Sequence, residues 1–176
     1  MSYFAAAVAR GTKGWTAAEL DLDGAADIEE IADRLRDVDP DAPVILLFVE
    51  SDDAYLVILR LDDGEDLRVF GSDSVFAEES RIGALLLGGI EEPALDVEDA
   101  SAVPDELDTA ADDEEIRPPD PDVEPVGDPD LLTDLGVPAP RLLELCVQEG
   151  MLPADITAEL CQALGCGDEV EELREA

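Results

Sequence analysis

Apolar positions along the chain recur with two different periods, and the switches between them mark out its elements. Tyr3–Arg10 is a compact apolar run, and Trp15–Leu22 follows after Gly11-Thr12-Lys13-Gly14. Two strand-length runs around a glycine-bracketed loop predict a hairpin. Ala5-Ala6-Ala7 weighs against the strand because alanine is a poor strand former, yet small residues there let a helix lie close to a sheet. From Asp23 to Asp37 the period changes. Ile28, Ile31, Ala32 and Leu35 fall at i, i+3, i+4 and i+7, one face of a helix. Acids at its start (Asp27, Glu29, Glu30) and arginines at its end (Arg34, Arg36) complement the helix dipole.

Val44–Val49 is apolar at every position and too short for a helix of that character, so it reads as a central strand covered on both faces. Tyr55–Leu61 and Leu67–Phe70 are further strands, joined through Asp62-Asp63-Gly64-Glu65. Asp-Gly between strands is a strong hairpin signal. Ser72 or Asp73 then caps a helix over 75–87. The order β-β-α-β-β-β-α predicts an α+β fold over residues 1–90, a five-stranded antiparallel sheet packed with helices.

Beyond residue 90 the material changes. Residues 91–126 form an acidic, proline-rich linker in which Pro118-Pro119-Asp120-Pro121 excludes helix and central strand. Like charges in Asp112-Asp113-Glu114-Glu115 repel, and a disordered or extended segment is expected, mobile over 98–124. Helical periods return over residues 127–176. Leu131, Leu132 and Leu135 make a short turn ending at Gly136. Leu142, Leu145 and Cys146 share a face, as do Ile156, Leu160, Cys161 and Leu164, with Gly150 and Gly165 as terminators. Helices this short hold little core alone, so they dock on the sheet or await a partner.

Composition changes the functional picture more than the structural one. The 176 residues include 47 acids, 10 bases and no histidine, a formal net charge of −37, while 46% hydrophobic content supplies a core. Such a surface repels a phosphate backbone and anionic lipid, so direct nucleic-acid and membrane binding are not expected. Without histidine, Ser-His-Asp and Cys-His catalysis and histidine-ligated metals are excluded. The N-terminus lacks the basic and apolar regions of a signal peptide, and no apolar run approaches the roughly 20 residues of a membrane helix. A reduced, cytoplasmic location is the expectation.

Candidate chemistry is sparse. Cys146, Cys161 and Cys166 match no CxxC spacing, and two of them lie on apolar helix faces where cysteine behaves as a small hydrophobe. Arg141 is the base nearest in sequence to Cys146, of the kind that could lower a thiol's pKa. Asp52-Asp53, Asp62-Asp63 and Glu78-Glu79 are paired carboxylates, but acid–base catalysis needs two carboxyls in distinct environments within a cleft, and turn residues are solvated. Asp62-Asp63-Gly64-Glu65-Asp66 lacks EF-hand spacing, and Gly83, Gly88 and Gly89 form no phosphate-binding loop. No catalytic, cofactor or metal residue is assigned.

Several blocks carry a resemblance. Tyr3-Phe4-Ala5-Ala6-Ala7-Val8-Ala9-Arg10 with Gly14-Trp15, Leu46-Leu47-Phe48-Val49-Glu50, Arg68-Val69-Phe70 and Ser80-Arg81-Ile82-Gly83-Ala84-Leu85-Leu86 are among them. Pro125-Val126-Gly127-Asp128-Pro129-Asp130-Leu131-Leu132 and Leu152-Pro153-Ala154-Asp155 extend the match. Together they resemble the actinobacterial family of tRNA adenosine deaminase-associated proteins. The resemblance implies a link to that deaminase and transfers no functional residue. The chain is not the zinc deaminase, which needs H-x-E and P-C-x-x-C.

The acidity has three open readings: solubility, adaptation to salt, or binding to a basic partner surface. The expected function is a non-catalytic acidic accessory protein with a basic protein partner, the tRNA adenosine deaminase being the candidate. Asp112, Asp113, Glu114 and Glu115 are the candidate contact residues. Should binding prove independent of salt, Leu142, Leu145 and Leu160 are the apolar alternative. The competing expectation is a small-molecule or peptide-binding domain, or an enzyme of another type, on the α+β core.

Overall fold

Six strands pair in sequence-alternating directions: β1 (Tyr3–Gly11), β2 (Gly14–Glu19), β3 (Val44–Ser51), β4 (Tyr55–Asp62), β5 (Asp66–Gly71) and β6 (Val126–Gly127). The sheet is antiparallel throughout in the order β2-β1-β3-β4-β5-β6. Helices α1 (Ile28–Val38) and α2 (Arg81–Leu87) precede a 3-10 turn at Pro129–Leu135. Three more follow: α3 (Ala139–Val147), α4 (Pro153–Leu164) and α5 (Gly167–Glu175). This computed structural model describes residues 3–51, 55–73, 81–87, 125–148 and 150–175. The expected mobile stretch 98–124 and the first turns of the 75–87 helix lie outside the described residues.

The sheet is covered on both faces, which is why β3 is apolar at every position from Val44 to Val49. Odd positions on the central strands (Ala5, Ala7, Ala9, Ile45, Leu47, Val49, Val57, Leu59) pack with Ile31, Leu35, Leu86 and Leu87 of α1 and α2. Even positions (Ala6, Val8, Leu46, Phe48, Leu56, Ile58) and Phe70 pack with Leu131, Leu132, Leu142, Ile156, Leu160 and Val170. Burial of each such large side chain contributes about 1.5–3 kcal/mol. The C-terminal helices therefore supply one whole wall of the core. β1 is a strand despite its alanines, and those alanines, buried completely or nearly so, leave room for α1.

Two turns follow from local chemistry. Asp63 and Gly64, at φ 52° and 76°, make the mirror-image turn that suits a hairpin, closed by Glu65 N–H donating to Asp62 C=O at 3.0 Å. Asp27 caps α1 by accepting from Glu30 N–H at 3.0 Å, while the Glu30 carboxylate accepts from Ala26 N–H.

One expectation is corrected. Among the described residues the sheet has six strands, not five. β6 is two residues long, too short to show any period, and it sits between Pro125 and Asp128-Pro129. Gly127 makes its pairing possible. Its φ is 97°, and a Cβ there would collide with the Val69 carbonyl oxygen. The helix start that Ser72 or Asp73 is expected to cap lies outside the described residues; the Ser72 hydroxyl accepts the buried Leu56 N–H at 2.9 Å, while Ser72 N–H donates to Leu56 C=O, closing the end of the β4–β5 pair.

Candidate functional site

The most highly charged constellation centres on Arg60, 4% exposed on β4 and facing the C-terminal layer. Its Nε donates to Asp62 at 3.0 and 2.9 Å, its Nη1 to the Leu131 carbonyl at 2.5 Å, and its Nη2 to Asp134 at 2.8 Å. Arg68 reaches the other side of Asp62 at 3.0 Å and Asp128 at 3.6 Å. Hydrogen bonds to Asp134 hold the Arg60 guanidinium firmly charged, above its ordinary range, and the same contact holds the Asp134 carboxyl below the usual carboxylate range. With the Arg60 donors committed to Asp62, Asp134 and the Leu131 carbonyl, this network fastens the 3-10 turn to the sheet.

Glu50, 5% exposed at the end of β3, is another buried charge, as is Asp73. Glu50 pairs with Arg174 of α5, whose guanidinium also lies 4.6 Å from the Phe4 ring centroid. Arg60 and Glu50 were readable as polar residues in apolar runs, Leu56–Leu61 and Val44–Glu50, yet the sequence reading passed over them. Their role became visible only once the C-terminal layer was seen to cover that face.

The cysteines sit as small apolar groups. At the end of α4, Gly165 has φ 97°, and the N–H groups of Gly165 and Cys166 both donate to the Cys161 carbonyl, at 2.9 and 2.8 Å. That ending folds the residue after the glycine back against the last turn, bringing Cys166 to Cys161. The Cys161 thiol is pushed up by its contact with Cys166 and by burial, and burial pushes the Cys146 thiol up to about 12. Arg141 activates none of them, pairing instead with Glu144 and Glu159 at 3.1 and 3.2 Å. Among the described residues no group of three or more His, Cys, Asp or Glu could hold a metal ion.

Of the paired carboxylates, Asp62 belongs to the Arg60 network, and Asp63 lies in the hairpin turn. Asp52-Asp53 and Glu78-Glu79 lie outside the described residues, as do Asp112, Asp113, Glu114 and Glu115. Leu142, Leu145 and Leu160 face the sheet and are at most 2% exposed, so they offer no apolar surface to a partner. A cleft of about 520 Å³ lies instead between α4 and α5, floored by Ala154, Ala158, Cys161 and Val170. Asp168 and Glu171 stand on its α5 side.

Arg10 and Lys13 are exposed cations. Arg34, Arg36, Arg60, Arg68, Arg141 and Arg174 each pair with a carboxylate. Arg81 donates to the Ala25 carbonyl, and Arg10 lies over Trp15. Among the described residues no helix is long and apolar enough to cross a membrane.

No curated protein and no solved structure matches the chain. One family model does, over residues 3–167, and it is described as Rv3753c-like tRNA adenosine deaminase-associated protein. The match takes in the alanine-rich first strand, the Gly127 strand and helices α3 and α4, and the chain belongs to the Rv3753c-like tRNA adenosine deaminase-associated protein family.

Proposed function

We propose that the chain is a non-catalytic acidic accessory protein that binds the tRNA adenosine deaminase through charge. The observation that carries this reading is the disposition of the cations. Six of the eight described arginines pair with carboxylates within the fold, in a chain whose formal net charge is −37. An enzyme that acts on tRNA needs a basic surface for the phosphates. An acidic protein of matching shape can approach that surface, with association steered by charge. The family description, which associates its members with that deaminase, supports the choice of partner. The shielded, high-pKa thiols and the carboxylates locked by arginine support the non-catalytic part of the reading.

Asp112, Asp113, Glu114 and Glu115 remain the contact residues proposed for steering, because four adjacent acids give a dense local charge. Interferometry with purified deaminase across a salt series tests the proposal. Binding should weaken as exposed charges are screened beyond a Debye length of about 8 Å. Asp112→Ser, Asp113→Ser, Glu114→Gln and Glu115→Gln together should slow association while leaving the melting temperature in place. An absence of binding at every salt concentration would remove the deaminase as partner.

A further inference from the structure

The cleft between α4 and α5 has the form of a docking groove, and its walls specify what fits. Ala154 and Ala158 are one turn apart on α4, and Gly167 opens α5, so small side chains keep the space empty. From Ala154 to Gln162 the groove runs for about 12 Å at 1.5 Å per residue, a little over two helical turns. Leu152, just before α4, is the exposed large hydrophobic residue among those described, at 44%.

Beyond the first turns of α4 and α5 the walls are side chains of helices whose backbone groups bond internally. An extended peptide would find backbone donors only near the helix starts, at Ala154, Gly167 and Asp168, and would bury most of its own amides unsatisfied. A helix satisfies its own backbone and docks through apolar side chains at i, i+3, i+4 and i+7. Charge sets the second requirement. Asp168 and Glu171 line the groove, and exposed Glu172 and Glu175 lie on the same helix. The one cation in the lining, Arg174, is already held by buried Glu50 and by Phe4.

We infer that this groove receives an amphipathic helix of the tRNA adenosine deaminase, with small apolar residues on its buried face and Lys or Arg on its flanks. The inference rests on the accessory reading above and adds the place and chemistry of contact. It divides the work between the acids, which steer, and the apolar floor, which holds the complex once formed.

The test is a binding titration of the full chain against purified deaminase with three variants. Ala158→Trp fills the groove from an exposed helix position. Glu171→Lys reverses a wall charge. Glu29→Lys makes the same charge change at an exposed site on α1, across the sheet. Ala158→Trp and Glu171→Lys should each weaken binding by about tenfold or more, the size of a central interface contact, with Glu29→Lys staying within about twofold. If Ala158→Trp melts early, the comparison of Glu171→Lys with Glu29→Lys decides alone. Tight binding that ignores Ala158→Trp, or equal losses for the two lysine variants, overturns the groove and leaves the accessory reading standing. No binding by the unmodified chain overturns both.

Discussion

Arg60 lies between apolar Leu59 and Leu61, and its charge is tolerable because two carboxylates and a carbonyl answer it. Arg60→Ala removes the buried charge itself and leaves the more exposed Asp62 and Asp134 to water, so the cost lies in the orphaned Leu131 carbonyl and the lost hydrogen bonds. It should amount to about 1–3 kcal/mol in urea unfolding, with Asp62 left beside Arg68. A loss below about 1 kcal/mol would mean that water replaces the guanidinium freely. Asp134 gives the pH dependence. Its folded pKa is depressed, so its contribution is present above the unfolded carboxylate value of about 3.9 and is lost as pH falls through the folded value. The stability gap between the native chain and Asp134→Asn should be open at neutral pH and close in acid. The thiols make a complementary prediction. Folding holds Cys146 and Cys161 as neutral thiols at pH 7, so Ellman's reagent should react slowly with native protein and release three equivalents only in guanidinium. Rapid native labelling at Cys146 or Cys161 would contradict that picture.

At the scale of elements, the strands that announced themselves were those with a strong pattern and a turn signal. Val44–Val49 and the Asp63-Gly64 hairpin are where the sequence placed them, because burial on both faces and positive φ leave few alternatives. The Ile28–Val38 helix was legible from its period and its acidic start. What was hidden depended on partners far along the chain. β6 exists because Gly127 lets the backbone press against Val69 and Phe70, and a two-residue strand has no period of its own. Arg60 and Glu50 make sense only opposite Asp134 and Arg174, more than seventy residues later. The groove was hidden for a similar reason: alanines on an exposed helix face give no sign that a second helix lies beside them. Gly127→Ala tests the least legible element. Both the collision and the positive φ oppose it, so a loss above about 1 kcal/mol is expected. Protection of the Asp128 N–H, which donates to Val69 C=O at 2.9 Å, should fall in hydrogen exchange. A variant as stable as the native chain would show that β6 is dispensable to the sheet.

For the whole molecule, charge acts in opposite senses on folding and on association, and salt separates the two. The exposed ion pairs Arg34–Glu30, Arg36–Asp33 and Arg141–Glu144 lie at helical spacing and contribute little, as solvated pairs do. Screening weakens these pairs slightly. Against them stand 47 acids on a chain with 10 bases, whose mutual repulsion opposes the compact state over its whole surface. The repulsive pairs are more numerous and act at longer range, so they are the first to be screened. Between about 0.01 M and 0.15 M sodium chloride the Debye length falls from roughly 30 to roughly 8 Å. Over that interval the melting temperature should rise. The Arg60 and Glu50 contacts, being buried, should change little. Association with the deaminase should weaken over the same interval, because there the screened interaction is attractive. Calorimetric melting and interferometry on one set of samples give both slopes. A melting temperature that fell with salt would mean that the local pairs outweigh the general repulsion. The acidity would then be no burden on the fold, and its concentration in this chain would need no partner to account for it.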